Sequence, residues 1–251
     1  MELKRNSRFL LPVGVLLFSS LAVGDTPTGR PVVVELFESQ GCSSCPPAEE
    51  AMAALQKQFG RAIIPLVFHV DYWNHPWKDT FSDVRNTQRQ SDYARTFGDS
   101  SIYTPEMVVQ GEVGFVGSDL RRARDEIQQR LTQPRLALSL KYEGSPIKPG
   151  DGYVHILLPP DLNRQAREIT LVIFENAAPV HVQRGENASV TMSGEFAVRK
   201  FWTIPTVESG RYDVPLRLAN DWNPDQTGVA VLVQGNSSFI LAAKAAPLGI
   251  S

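Results

Sequence analysis

Both cysteines of this 251-residue chain fall within four positions, Cys42 and Cys45, at a seam between two kinds of pattern. Before them, "VVVELF" (32–37) is a β-branched apolar run that reads as a buried strand. After them, "PPAEEAMAALQKQF" reads as a helix, with Ala48, Met52, Leu55 and Phe59 sharing one face. Pro46 and Pro47 fit its first turn, where N–H groups lack intrahelical acceptors. Glu49 and Glu50 suit the positive end of its dipole. "AIIPLVFHV" (62–70) is a second apolar strand. Strand, helix and strand in so short a span make a parallel βαβ unit.

The pattern continues. "DYWNHPWKD" (71–79) is an aromatic loop. Residues 82–98 read as a polar surface helix anchored by Val84, Tyr93 and Phe97. Residues 102–111 and 112–117 read as two strands turning over at Gln110–Gly111. Residues 118–133 read as a helix capped by Ser118 or Asp119, with Leu120, Ala123, Ile127 and Leu131 inward. The order over 32–133 is therefore β-α-β-α-β-β-α. After Pro134 the texture becomes short alternating segments separated by Gly, Pro, Asn and Asp, which predicts seven or eight strands in a sandwich. The expected organisation is a leader (1–24), an α/β domain (25–134) and an all-β sandwich-like domain (135–251).

The leader carries Lys4, Arg5 and Arg8, then the apolar "FLLPVGVLLFSSLA", then a small-residue cleavage site before Asp25. The apolar run is short for a membrane span. The expectation is a secreted or periplasmic protein, exported through a signal peptide and free of the membrane after cleavage. A formal net charge of −2 gives no reason to expect a nucleic-acid partner. Export places the cysteines where disulfides can form and persist.

Three roles compete for Cys42 and Cys45. As a staple, in a non-enzymatic protein whose β domain binds a partner, they would form only a local disulfide closing a very small ring, which removes little chain entropy. As a redox dithiol, Cys42 would be the exposed nucleophile, its thiolate stabilised by the helix terminus. Cys45, one turn on, would resolve the mixed disulfide. As a metal site, Cys42, Cys45 and His69 would form a soft, low-coordinate set suited to copper(I). In the redox reading no cofactor is needed, and the partners are protein or small-molecule thiols and disulfides.

Neighbouring residues have two readings each. Glu35, in the middle of a buried strand, either takes the resolving cysteine's proton or reaches solvent or an arginine. His69 and Asp71 end the second strand on the ligand side of an open sheet. His69 is either a proton carrier or metal ligand, or a hydrogen-bonded strand-end histidine. Tyr72, Trp73 and Trp77 form either a substrate surface or a packed cluster. His155 and His181 read as strand residues without chemistry. "RGENA" (184–188) reads as a turn that could approach the α/β domain, with Arg184 and Glu186 in surface or interdomain ion pairs.

C-x-x-C at the first strand–helix junction of this element order resembles the thioredoxin arrangement. The stretches "ELFESQGCSSCPPAEEAMAAL", "FHVDYWNHPWKDTFSDVRNTQRQSDYARTFG" and "YTPEMVVQG" narrow the resemblance to a secreted thioredoxin-like family of unknown function. The similarity covers 32–133, with "HVQRGENA" as the clearest piece beyond. It implies a cis Pro105, preceded by Thr104, opposite the dithiol, and a buried acidic residue on the first strand. It implies a fold and supplies no reaction.

Overall fold

The computed structural model describes residues 30–249; the leader expected at 1–24 lies outside them. Strand β1 (Val32–Glu38) is buried along its whole length, which explains its unbroken apolar character. It pairs in parallel with β2 (Ile63–His69), from Val32 opposite Ile63 to Glu38 opposite His69. Helix α1 (Pro46–Phe59) makes the crossover. On its other edge β1 pairs antiparallel with β3 (Glu106–Val109), which turns into β4 (Val113–Val116). The turn is at Gln110–Gly111, both left-handed. A Cβ on Gly111 would lie 2.1 Å from the Ser238 carbonyl, so that position needs glycine twice over.

The two faces of β1 bury different things. Val32, Val34 and Leu36 pack on α1 and on α3 (Leu120–Leu131), through Ala48, Met52, Leu55, Ala123 and Ile127. Val33 and Phe37 face the opposite way, toward Phe68, Tyr93 and residues from the far end of the chain. Asp119 caps α3 by accepting from the Arg122 N–H, while Leu131 is partly exposed.

Helix α2 (Val84–Phe97) departs from expectation. Of the expected anchors Tyr93 and Phe97 do pack inward, but the face they share is buried and largely polar. Val84 is 66% exposed, and the inward face is Asn86, Arg89, Gln90, Tyr93 and Ala94. The reason lies on β1. Glu35 projects into this face and is fully buried, so the helix must bring it polar partners. Arg89 Nε donates to Glu35 Oε1 at 2.7 Å, and the Tyr93 hydroxyl donates to Glu35 Oε2. The Arg89 guanidinium also lies over the Phe68 and Tyr93 rings.

Beyond α3 the described chain forms β5 (Ser139–Gly144), β6 (Gly152–Leu157), a short α4 (Pro160–Gln165), β7 (Glu168–His181), β8 (Thr191–Ile204), β9 (Arg211–Leu216), β10 (Thr227–Gln234) and β11 (Ile240–Pro247). Strands β5-β6-β9 make a three-stranded sheet. The other four extend the first sheet, giving the order β11-β10-β7-β8-β2-β1-β3-β4. The junction is a single parallel bridge, Val67 to Ala197. The result is a mixed α/β fold around one large mixed sheet. Ile169, Leu171 and Ile173 face the small sheet, while Val172 on the other face joins Phe37 and Phe68. Burial on both faces explains runs such as "VAVLV". The chain changes texture between α3 and β5, near residue 134, but packing continues across that point. "REITLVIFEN" and the start of "VHVQR" fall in one strand, β7, which runs out with β8 as a two-stranded arm.

Candidate functional site

The dithiol loop begins where β1 leaves the sheet. Cys42 N–H donates to the Ser39 carbonyl at 3.1 Å, Cys45 N–H to the Cys42 carbonyl at 3.1 Å, and Ala48 N–H to the Cys45 carbonyl at 2.8 Å. These turns wind directly into α1, with Pro46 at its first position. A Cβ on Gly41 would sit 2.8 Å from the Trp73 carbonyl, so glycine there lets the aromatic loop close down on the cysteines. Asp79 braces the approach: its Oδ2 accepts from Ser39 Oγ at 3.1 Å and from the Gln40 N–H at 2.6 Å.

Both cysteines are free thiols, and both are buried, Cys42 at 1% and Cys45 at 0% exposure. The expected exposed nucleophile is therefore corrected. The thiols share an apolar cluster with Val182 and Met192 of the arm, packed on by Trp73 and Trp77. A hydrogen bond from Cys45, despite burial and with help from Ser44 and Thr104, pulls the Cys42 thiol down to about 6. Burial, the Cys42 contact and the Glu38 charge push the Cys45 thiol far up. One thiol is set to ionise and the other to stay protonated.

Glu35 takes the second of its two expected roles: its carboxylate is held by Arg89 and Tyr93. The carboxyl whose charge bears on both cysteines is Glu38. Alternation along β1 accounts for this. Even-numbered residues face α1, which Cys45 leads, and odd-numbered residues face α2. Burial, then the neighbouring Glu49 carboxyl, hold Glu38 well above the usual carboxylate range. Burial raises Glu49 as well. Glu38 Oε2 and Glu49 Oε1 are buried without a hydrogen-bond partner.

His69 is the hydrogen-bonded strand-end histidine. Its Nδ1 lies 2.9 Å from Asp79 Oδ2 and its Nε2 3.6 Å from Glu38 Oε1, so both ring nitrogens face carboxylates and not thiols. Burial opposes charge on Asp79, yet His69 and the Gln40 and Phe81 amides hold its carboxyl below the usual range. Among the described residues no group of three His, Cys, Asp or Glu side chains is arranged to hold a metal ion.

The Thr104–Pro105 peptide bond is cis, as the sequence reading expects; His75–Pro76 is also cis, which that reading did not raise. Thr104 meets the loop: its carbonyl accepts from Ser44 Oγ at 3.4 Å, and its Oγ1 accepts from Trp73 Nε1 at 2.8 Å. Trp77 Nε1 donates to Gln40 Oε1 at 3.0 Å. The two indoles are thus packed onto the dithiol, while Tyr72 is 42% exposed and donates to Gln90 Oε1. A cleft of about 340 Å³ lies between Trp73, Pro76 and Trp77 on one side and Gly185 and Glu186 on the other. A larger one, about 650 Å³, lies between β5, α4 and β11, away from these groups.

The "RGENA" turn does approach. Asn187 Nδ2 donates to the Gln40 carbonyl at 3.0 Å and to the Cys42 carbonyl at 2.7 Å. Among the described residues Glu186 makes no ion pair: its Oε2 accepts from the Ser43 N–H at 3.2 Å and from Ser43 Oγ at 2.7 Å. His155 pairs with Asp213 at an exposed position, far along the chain. Sequence reasoning missed Glu38, Glu49, Asp79, Val182, Asn187 and Met192. Only Glu38 had a local signal, its even position on β1.

Over residues 33–234 the chain matches the sequence model of a family described as a protein of unknown function (DUF1223). No curated protein matches it. Among solved structures, the crystal structure of a protein from Agrobacterium tumefaciens is similar with a TM-score of 0.68 and 27% identity, covering 88% of this chain and 95% of that one. HBP35 of Porphyromonas gingivalis is similar with a TM-score of 0.61, covering 87% of this chain and 75% of that one; at 15% identity the likeness is one of fold.

Proposed function

The chain belongs to the DUF1223 family of proteins of unknown function, and we propose that it is an exported thioredoxin-like thiol–disulfide oxidoreductase working through Cys42 and Cys45. The observation that carries this reading is the unequal pair of free thiols at the head of α1, one drawn down to about 6 and its neighbour pushed far up. A reactive dithiol needs that asymmetry and a passive staple does not. The thioredoxin likeness draws support from the β2-β1-β3-β4 order and from the dithiol at the β1–α1 junction. The position of Pro105 just ahead of β3 agrees with it. Export rests on the charged and apolar leader at 1–24.

The Cys42 thiolate attacks one sulfur of a partner disulfide. A Cys42–partner disulfide forms, and the partner's other sulfur leaves as a thiolate. Cys45 then gives up its proton and attacks Cys42 Sγ, expelling the partner's second thiolate. Two electrons pass to the partner, and the Cys42–Cys45 disulfide remains. The same steps run backward oxidise a partner dithiol. The Glu38–Glu49 pair, through the Glu38 carboxyl that bears on Cys45, accepts the Cys45 proton: two coupled buried carboxyls favour sharing one proton, which leaves a site for it. A copper carrier would have to use the two thiols without His69, whose ring is engaged elsewhere.

A Cys45→Ser variant should trap a mixed disulfide on Cys42 when mixed with glutathione disulfide, visible by mass spectrometry. Equilibration of the wild type with graded dithiothreitol couples should give one two-electron transition. A pair that stays reduced at every ratio, or a disulfide that opens only on unfolding, would end the reading.

A further inference from the structure

The thiols are sealed by a piece of chain that begins about 130 positions after them. β7 and β8 pair regularly from Ile169–Ile204 to Ile173–Lys200. Past that the register shifts three times, between Ile173 and Phe174, Glu175 and Ala177, and Ala177 and Val180. The strands leave the two-sided core at the same place. Residues 168–175 are mostly buried, whereas Asn176, Ala178, Pro179 and His181 are exposed. A ribbon with a broken ladder and little buried surface has low local stability.

The attachments of this arm concentrate at the dithiol. Val182 and Met192 are fully buried in the cluster with Cys42 and Cys45. Asn187 bonds the Gln40 and Cys42 carbonyls, Glu186 bonds Ser43, and the Ser193 N–H donates to Glu49 Oε2 at 2.9 Å. The backbone is left-handed at Gly185 and Ser189, on either side of Asn187, so the tip is a tight turn presenting that side chain downward. In-line attack on a sulfur needs a partner sulfur against Cys42, and the position is filled by the arm and the two indoles.

We propose that residues 176–194 are a displaceable lid over the dithiol, and that thiol exchange proceeds only from the lid-open form. Asn187 is its latch: one amide group holds two carbonyls of the cysteine loop, and both bonds break together on opening. The proposal deepens the redox reading by adding a control on that site, but its test needs no disulfide chemistry.

The reduced wild type and an Asn187→Ala variant are treated with iodoacetamide under native conditions, and Cys42 alkylation is followed by mass spectrometry. Losing two hydrogen bonds that exist only in the closed form should speed alkylation about tenfold or more. Hydrogen exchange in the same wild-type protein should be faster at the amides of 182–192 than at those of β1, which opens only with the whole fold. Equal alkylation rates in the two proteins overturn the lid. So do wild-type arm amides that exchange only in step with β1, a result that decides the matter even if Asn187→Ala does not fold. If the variant reacts faster while neither protein exchanges with any disulfide, the lid stands and the redox reading falls.

Discussion

Glu35 and Glu38 are the same side chain, three residues apart on one strand, both shut away from water. Their surroundings differ in kind. Glu35 has an arginine on one oxygen and a tyrosine hydroxyl on the other, with aromatic rings around the pair. Glu38 faces another carboxyl, a distant histidine nitrogen and two thiols, and one of its oxygens has no partner. A buried charge that is paired and fully hydrogen-bonded holds a structure in place. A buried carboxyl left short of partners is poised to change its protonation state. The difference separates an architectural carboxylate from a chemical one on a single strand.

Removing Arg89 should have the largest effect. Arg89→Met keeps bulk but leaves Glu35 buried and unpaired, and should cost about 3–5 kcal/mol in a urea unfolding experiment. A near-wild-type midpoint would break the comparison, since Glu35 would then need no partner. Glu38→Gln should do the opposite kind of harm. Burial already disfavours its charge, so stability at neutral pH should hold or rise, while resolution of a mixed disulfide on Cys42 should slow about 10²-fold. Glu35→Gln should lower stability and leave that step alone.

The pH dependence carries a sign for each group. The Cys42 pKa is depressed on folding, so its contribution to stability is fully present above the ordinary thiol value of 9.0 and is lost as pH falls through about 6. Compared with Cys42→Ser, the reduced wild type should gain unfolding free energy between those values. Alkylation of Cys42 should rise with a midpoint near 6. The Glu38 pKa is raised, so its contribution is complete below the unfolded carboxylate value and fades as pH climbs. The smallest effects sharpen the account of α2. Val84→Ala, on the exposed side, should stay within about 0.5 kcal/mol in thermal unfolding. Tyr93→Phe, which strips a hydroxyl from Glu35, should cost about 1–2 kcal/mol.

Much of the first half of the fold was legible. Strand β1, helix α1, strand β2 and the Gln110–Gly111 turn announce themselves by periodicity and turn chemistry, all local signals. Which carboxylate of β1 bears on the cysteines follows from the alternation of faces, a signal that acquires meaning only once each face's distant partners are in place. Helix α2 was read by its apolar residues, yet its inner face is polar because of Glu35, a partner more than 50 positions away. The strands after residue 134 were legible one at a time. Their union with β2 through one bridge was not, since no local residue encodes which edge a distant strand will meet. The turn around Asn187 stands out in the sequence, but nothing local separates its latching side chain from any loop asparagine.

That single bridge also has a bearing on how the chain comes to be. The outer edge of β2 is complete only when Ala197 arrives, and the odd face of β1 only when Val198, Ala230 and Ile240 arrive. At common elongation rates the interval from β2 to β8 is on the order of ten seconds. For that time an apolar strand edge stands open on a growing polypeptide, a template for pairing with its neighbours. The exposure of the β2 edge therefore belongs to the order of synthesis, and ends once β8 is home.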